Sequence, residues 1–288
     1  MNIKNSSSHK SQEPESNTLY IVGTPIGNLN DLSLRALNIL KNVTLIACED
    51  TRQTRKIMSK FRFSNTLISF NSFNSANKIP KIINNLKAGE SIALVSDAGM
   101  PSICDPGEDL IKQVNLNGIK IICIPGPCAA LTALVSSGFP SSQFIFEGFL
   151  PKKKSARSNI LQEIKNNDKT TILFESPHRL KKLLSELKEY CGGGREIKVF
   201  RELTKKFEEH IGDNVNEALN YFEDREILGE ITIVIKGVNK NNNNSEFNKL
   251  ELKKELNDLI KAGLSLSAAS KYLAKKNNLT KRLIYTMY

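Results

Sequence analysis

Three loops rich in glycine and proline carry most of the residues able to do chemistry. The first is Gly23-Thr24-Pro25-Ile26-Gly27-Asn28. The second is Asp97-Ala98-Gly99-Met100-Pro101, continuing to Asp105-Pro106-Gly107. The third is Pro125-Gly126-Pro127-Cys128, followed by Ala129. Each follows an apolar run that reads as a buried strand, at 18–22, 92–95 and 119–124. A loop at the carboxyl end of a strand presents backbone N–H groups and, at Asp97, a carboxylate. Open α/β sheets bind ligands at that edge. A further strand end carries Glu49-Asp50-Thr51-Arg52, two acids and an arginine at a strand-to-helix junction. A single Asp-x-Gly is best read as an ordinary connection; three such loops in one half of the chain weaken that reading. Gly23 and Gly27 have the wrong spacing for a GxGxxG fingerprint, and Pro25 lacks an N–H, so a Rossmann dinucleotide site is unsupported. There is also no Walker A loop.

The elements that must position these loops alternate. Strands at 18–22, 43–47, 66–70, 92–95 and 119–124 are interleaved with helices at 32–40, 76–87 and 129–137, which predicts a mostly parallel, covered sheet. Asp31 is the expected cap of the first helix, with Leu34, Leu37, Ile39 and Leu40 on its inner side. The second half has strands at 143–149, 170–174, 197–200 and 229–237, and helices at 177–190 and 213–222. Ser176 is placed to cap the helix that Pro177 starts. Residues 150–157, with Lys152, Lys153, Lys154 and Arg157, form a basic loop that suits phosphate and equally suits a solvated turn. Beyond an Asn-rich linker, three short helices at 247–262, 267–276 and 280–288 share a small core from Leu266, Ala269, Leu273, Leu279, Leu283 and Ile284. Their layout resembles a helix-turn-helix.

The 288 residues contain no run of 18 apolar residues, so no membrane span is expected. The first 16 residues are polar, without the apolar stretch of a secretory signal, and read as a disordered tail. Five scattered cysteines without a CxxC read as reduced thiols in a cytoplasmic protein, and no metal site is apparent. The net charge of +11 invites a nucleic-acid reading, although a compositional bias toward Lys and Asn would produce the same total. Location is more telling: residues 245–288 carry nine Lys/Arg against four Asp/Glu, whereas 127–238 carry 17 against 16.

Taken together, these motifs resemble the tetrapyrrole methylase superfamily and, more narrowly, the ribosomal RNA small subunit methyltransferase I family. The matching stretches arrive in family order: Gly23–Asn28, Glu49–Arg52, Asp97–Pro101 with Asp105–Gly107, Pro125–Pro127, Phe146–Pro151, Pro177–Arg179, Arg201–Lys205 and Gly229–Glu230. Met100 stands where the family usually has Thr, Cys104 and Cys128 where Ser is common, and Ser176 where Ala is common. The resemblance implies an α/β, two-domain fold: a parallel-sheet domain over 17–126, a mixed-sheet domain over 127–238, a linker at 239–245 and a small basic helical extension over 246–288. The tail occupies 1–16.

The same resemblance implies an S-adenosylmethionine cofactor held by Gly23, Pro25, Ile26 and Gly27, by Asp97, Ala98, Gly99 and Met100, and by Pro125, Gly126, Pro127, Cys128 and Ala129. Phe174 and Glu175 would add contacts from the second domain. The implied reaction is methyl transfer to the ribose 2′-hydroxyl of a decoding-centre cytidine in 16S rRNA of the small ribosomal subunit, by a homodimer. A ribose hydroxyl is a poor nucleophile, so a general base helps. Glu49, Asp50 and Asp105 are the candidates, with His178 and Glu175 behind them; Asp50 as a helix cap and Glu49 as an ion-pair partner are the structural alternatives. Arg35, Arg52, Arg55 and Arg179, with Lys152, Lys153 and Lys154, suit RNA phosphates. Tetrapyrrole C-methylation and non-catalytic RNA binding are the competing readings, and the basic tail and loop favour RNA catalysis.

Overall fold

The computed structural model describes residues 14–239, 247–277 and 279–288. Five strands, β1 (Thr18–Val22), β2 (Leu45–Cys48), β3 (Leu67–Ser69), β4 (Ser91–Val95) and β5 (Lys120–Ile124), form an all-parallel sheet in the order β3-β2-β4-β1-β5. The period of two sorts its core. Tyr20, Val22, Ile46, Ala93 and Val95 face α1 (Leu34–Asn42) and α2 (Thr51–Lys60). Leu19, Leu45, Ala47, Ile92 and Leu94 face α3 (Ser75–Lys87) and α4 (Glu108–Leu116). Burial on both faces is why these strands read as continuous apolar runs.

The second sheet is mixed. Its strands are β6 (Phe144–Phe149), β7 (Thr170–Glu175), β8 (Ile197–Arg201), β9 (Glu209–Ile211) and β10 (Ile231–Ile235), in the order β6-β7-β10-β8-β9. Only β6 and β7 run parallel; the other pairs are antiparallel. One face packs on Ala130, Ala133 and Leu134 of α5 (Ala129–Ser137). The other packs on α6 (Lys154–Asn166), α7 (Pro177–Cys191) and α8 (Val215–Phe222) through Leu161, Leu180, Leu184, Val215 and Phe222. Both sheets belong to one compact unit, residues 1–165 with 170–236. Residues 166–169 with 237–288 form a second unit, in which α9 (Phe247–Lys261), α10 (Leu266–Lys276) and α11 (Lys281–Tyr285) enclose Leu252, Leu256, Ala269, Leu273 and Ile284. No helix among the described residues is long and apolar enough to cross a membrane.

Several local expectations are corrected. The first helix is capped by Ser33, whose Oγ accepts the Ala36 N–H at 3.0 Å, while Asp31 ends a short 3-10 turn that Asn28 caps. Starting two residues later swings Leu34 outward, to 83% exposure. Ser176 precedes α7 without a side-chain capping bond. The 150–157 stretch is only partly a loop, because Lys154 opens α6 and Arg157 is buried. Leu283 is largely exposed, so it leaves the small C-terminal core to Ile284. Residues 1–13 of the expected tail and 240–245 of the expected linker lie outside the described residues.

Two neighbouring loops of the parallel sheet meet across glycines. A Cβ built on Gly23 would sit 2.6 Å from Gly126 Cα, so the β1 and β5 loops pack backbone to backbone. Gly23→Ala is expected to cost about 1–3 kcal/mol by overpacking, seen as a melting temperature lowered by several degrees in scanning calorimetry. An unchanged Tm would mean that the loops separate freely.

Candidate active site

The loops at the carboxyl ends of β1 and β4 are stitched together. Thr24 N–H donates to Gly99 O at 2.8 Å and Gly99 N–H donates back to Thr24 O at 3.1 Å. Thr24 Oγ1 donates to Ser96 O at 3.2 Å. Gly99 has φ +80, a conformation that glycine adopts without a Cβ penalty. Beyond it the loop holds Ser102 at φ +69 and Cys104 at φ +63, two non-glycine residues in the left-handed region. This stitching aims the segment from Asp97 to Asp105 into a cleft of about 450 Å³.

The cleft combines carboxylates with apolar and aromatic side chains. Glu49, Asp97 and Asp105 line it from the ends of β2 and β4; Ile103, Cys128, Phe149, Phe174 and Leu203 line it elsewhere. Burial raises the Glu49 carboxyl above its usual range, and the Asp97 charge raises it further. Burial likewise raises Asp97, partly offset by the Asp50 N–H, which donates to Asp97 Oδ1 at 2.9 Å. Asp105 is pushed up to about 6, first by burial and then by the Glu49 charge. Asp97 thus raises Glu49, and both raise Asp105, so the group favours a proton or a cation at Asp105.

Asp50 lies outside the cleft, although its charge also raises Glu49 and Asp97. Its carboxylate accepts the Arg52 N–H at 2.8 Å, capping α2, and pairs with the Arg52 guanidinium at 2.6 Å. Those hydrogen bonds hold it low, at about 2. It does not line the cleft. Its contribution is the backbone N–H that orients Asp97.

Two polar networks brace the second half of the site. Glu175, fully buried, pairs with Arg157 at 3.6 Å and Arg179 at 3.2 Å and accepts the Ser176 N–H at 2.8 Å. Arg157 also binds Glu186 at 2.7 Å, and Arg179 donates to Leu150 O at 2.7 Å. Removing one partner of such a buried cluster strands the others. In the second network Lys205 bridges Glu202 and Glu230, both at 2.7 Å. This fixes the 201–205 turn, where Glu202 and Thr204 have φ +55 and +66. The turn packs against Gly27, where a Cβ would meet Leu203 O at 2.9 Å.

The cleft therefore gathers Ile26, Glu49, Asp97, Ala98, Gly99, Met100, Asp105, Cys128, Ala129, Phe174 and Glu175. Gly23, Pro25, Gly27, Pro125, Gly126 and Pro127 belong to the supporting loops and do not line it. Arg52, Arg55, Lys152, Lys153 and Lys154 are exposed, Arg35 is half-buried, and Arg179 is committed to Glu175 and Leu150. His178 is exposed and does not line the cleft. Sequence reasoning missed Phe149, Ile103, Leu203 and the 229–232 segment. The first two lie inside stretches singled out for other residues, and the Gly229–Glu230 pair was the only signal for the last.

A family model of tetrapyrrole (corrin/porphyrin) methylases matches residues 18–219. Two curated relatives carry the description "Ribosomal RNA small subunit methyltransferase I". The one from Thermotoga maritima is 46% identical over 219 residues, 76% of this chain and 98% of its own. The one from Synechocystis sp. is 40% identical over 269 residues, 93% of this chain and 96% of its own. A solved structure of uroporphyrin-III C-methyltransferase from Thermus thermophilus, complexed with S-adenosylhomocysteine, shares the fold at TM-score 0.54. It is 15% identical over 75% of this chain and 96% of its own. The chain belongs to the tetrapyrrole methylase superfamily and, within it, to the ribosomal RNA small subunit methyltransferase I family.

The carboxylates are expected to act as one unit. Glu49→Gln should bring the Asp105 carboxyl down from about 6 toward its usual range, read by carboxyl-carbon NMR titration. An unmoved Asp105 titration would show that the two charges do not couple.

Proposed function

We propose that this protein transfers a methyl group from S-adenosylmethionine to the ribose 2′-hydroxyl of a decoding-centre cytidine in 16S rRNA. The observation that carries the reading is the trio Glu49, Asp97 and Asp105 gathered in one cleft with Phe149 and Phe174. The family membership and the names of the relatives supply the substrate class.

The residues fit the cofactor. A cleft lined by three carboxylates, each raised by burial, suits a positively charged donor, and Gly99 leaves no Cβ between the β4 loop and Ile26. Asp97, Gly99 and Met100, with Ile26, Cys128, Ala129 and Phe174, would hold it. When bound, S-adenosylmethionine supplies an already electrophilic methyl carbon. Asp97, pinned by the Asp50 N–H, provides a fixed negative charge. Asp105 accepts the 2′-hydroxyl proton as the oxygen–carbon bond forms. A carboxyl titrating near 6 is ionised at neutral pH yet more basic than an ordinary aspartate. The exposed Arg55, Lys152 and Lys153 are available to RNA phosphates.

The test is a transfer assay with labelled S-adenosylmethionine and small ribosomal subunits lacking the modification, followed by nucleoside digestion. Label is expected on a cytidine ribose; label on a base, or on no RNA, contradicts the reading. The kcat/KM for S-adenosylmethionine, which reports the free enzyme, should rise with pH through about 6 and then level, because Asp105 acts in its deprotonated form. Asp105→Asn should remove that limb and lower kcat by about 100-fold or more, a loss well beyond any weakening of cofactor binding in calorimetry. An intact limb would assign the base elsewhere.

A further inference from the structure

Strand β6 carries an irregularity at the cleft. It pairs with β7 at Phe146↔Ile172, then resumes at Gly148↔Leu173 and Phe149↔Phe174, leaving Glu147 as an extra residue. In a regular strand Phe146 and Phe149, three residues apart, would point to opposite faces. The skip sets them opposite Ile172 and Phe174, which share one face. Gly148 makes it possible: its φ is +60, and a Cβ there would lie 2.8 Å from Cys104 Sγ.

The result is a braced aromatic. The Phe149 ring meets Phe174 edge-on at 5.7 Å, and Phe146 meets the same ring at 5.0 Å. Phe149 nevertheless stays 53% exposed while lining the cleft that holds Glu49, Asp97 and Asp105. A bulge next to a site re-aims a side chain. Here it delivers a supported aromatic face to the cleft instead of to the core. Single-stranded RNA is bound by stacking unpaired bases on such faces.

We infer that Phe149 is the stacking platform for the target pyrimidine, taken as an unpaired nucleotide turned out from its neighbours. Stacking there holds the nucleotide in the cleft with the carboxylates. The inference rests on the RNA reading of the site and adds the residue that seats the acceptor.

The test compares Phe149→Leu, which keeps apolar bulk without a π face, with Phe149→Tyr, which restores the face. With small ribosomal subunits as acceptor, Phe149→Leu should lower kcat/KM about ten-fold or more, with calorimetric affinity for S-adenosylmethionine unchanged. Phe149→Tyr should recover most of the loss. An RNA oligonucleotide carrying a fluorescent cytidine analogue at the target should be quenched by wild type and the Tyr variant but not by the Leu variant. Wild-type kcat/KM in Phe149→Leu, an equal defect in both variants, or a matching loss of cofactor affinity would each overturn the platform while leaving RNA methylation standing. Absence of any RNA labelling by wild type would instead overturn the RNA reading, and the platform with it.

Discussion

Glu49, Asp97 and Asp105 repel one another in a single cleft, and the surrounding backbone has to hold them there. None of the three has a cationic side chain as the main influence on its titration; burial leads in each case. What fixes them is hydrogen bonding, from the Ser96 side chain at Asp105 and from main chain at the other two. The Asp50 N–H anchors Asp97, and the reciprocal Thr24–Gly99 bonds anchor the loop that carries it. Left-handed residues at Ser102 and Cys104 turn the chain back so that Asp105 faces the same space. The nearest arginine, Arg52, is occupied by Asp50 and stays on the outside. The arrangement is costly to the free protein and favourable to a cation, which is how stability is exchanged for function at many sites.

The second sheet supplies the opposite wall by different means. There the charges are neutralised: Glu175 sits between Arg157 and Arg179, and Lys205 between Glu202 and Glu230. These pairs lock the β7 tip and the 201–205 turn, which leaves Phe174 and Leu203 as an apolar surface. The β6 bulge then adds Phe149. The cleft's acids outside these ion pairs thus come from the parallel sheet, and its aromatic rings from the mixed sheet. A charged donor and a planar acceptor base call for that division.

Much of this was legible in the sequence. Strand-loop-helix punctuation revealed the parallel sheet, and the Asp97 and Asp105 loops were placed correctly because glycine and proline mark strand ends unambiguously. The failures have physical causes. Asp31 and Ser33 are both competent caps, and only the tertiary position of the 3-10 turn decides between them. Lys152–Lys154 read as a loop because basic residues hide a helix start, and the burial of Arg157 depends on Glu175 and Glu186, which are distant in sequence. Asp50 sits beside Glu49 in the chain but points away, since a helix cap and a cleft wall lie on opposite sides of the strand end. The bulge at Glu147 has no signal beyond one glycine, so Phe149 could not be aimed from alternation alone.

The central claim is that a cation held in the cleft draws the Asp105 carboxyl down from about 6 and displaces its proton. The direct measurement is titration calorimetry of S-adenosylmethionine at pH 6 in two buffers of different ionisation enthalpy. A cation beside a group titrating near 6 lowers its pKa, so binding should release up to about half a proton, and Asp105→Asn should diminish that release. Heats that do not depend on the buffer would contradict the account, because they would mean that the cofactor binds without feeling the carboxylates.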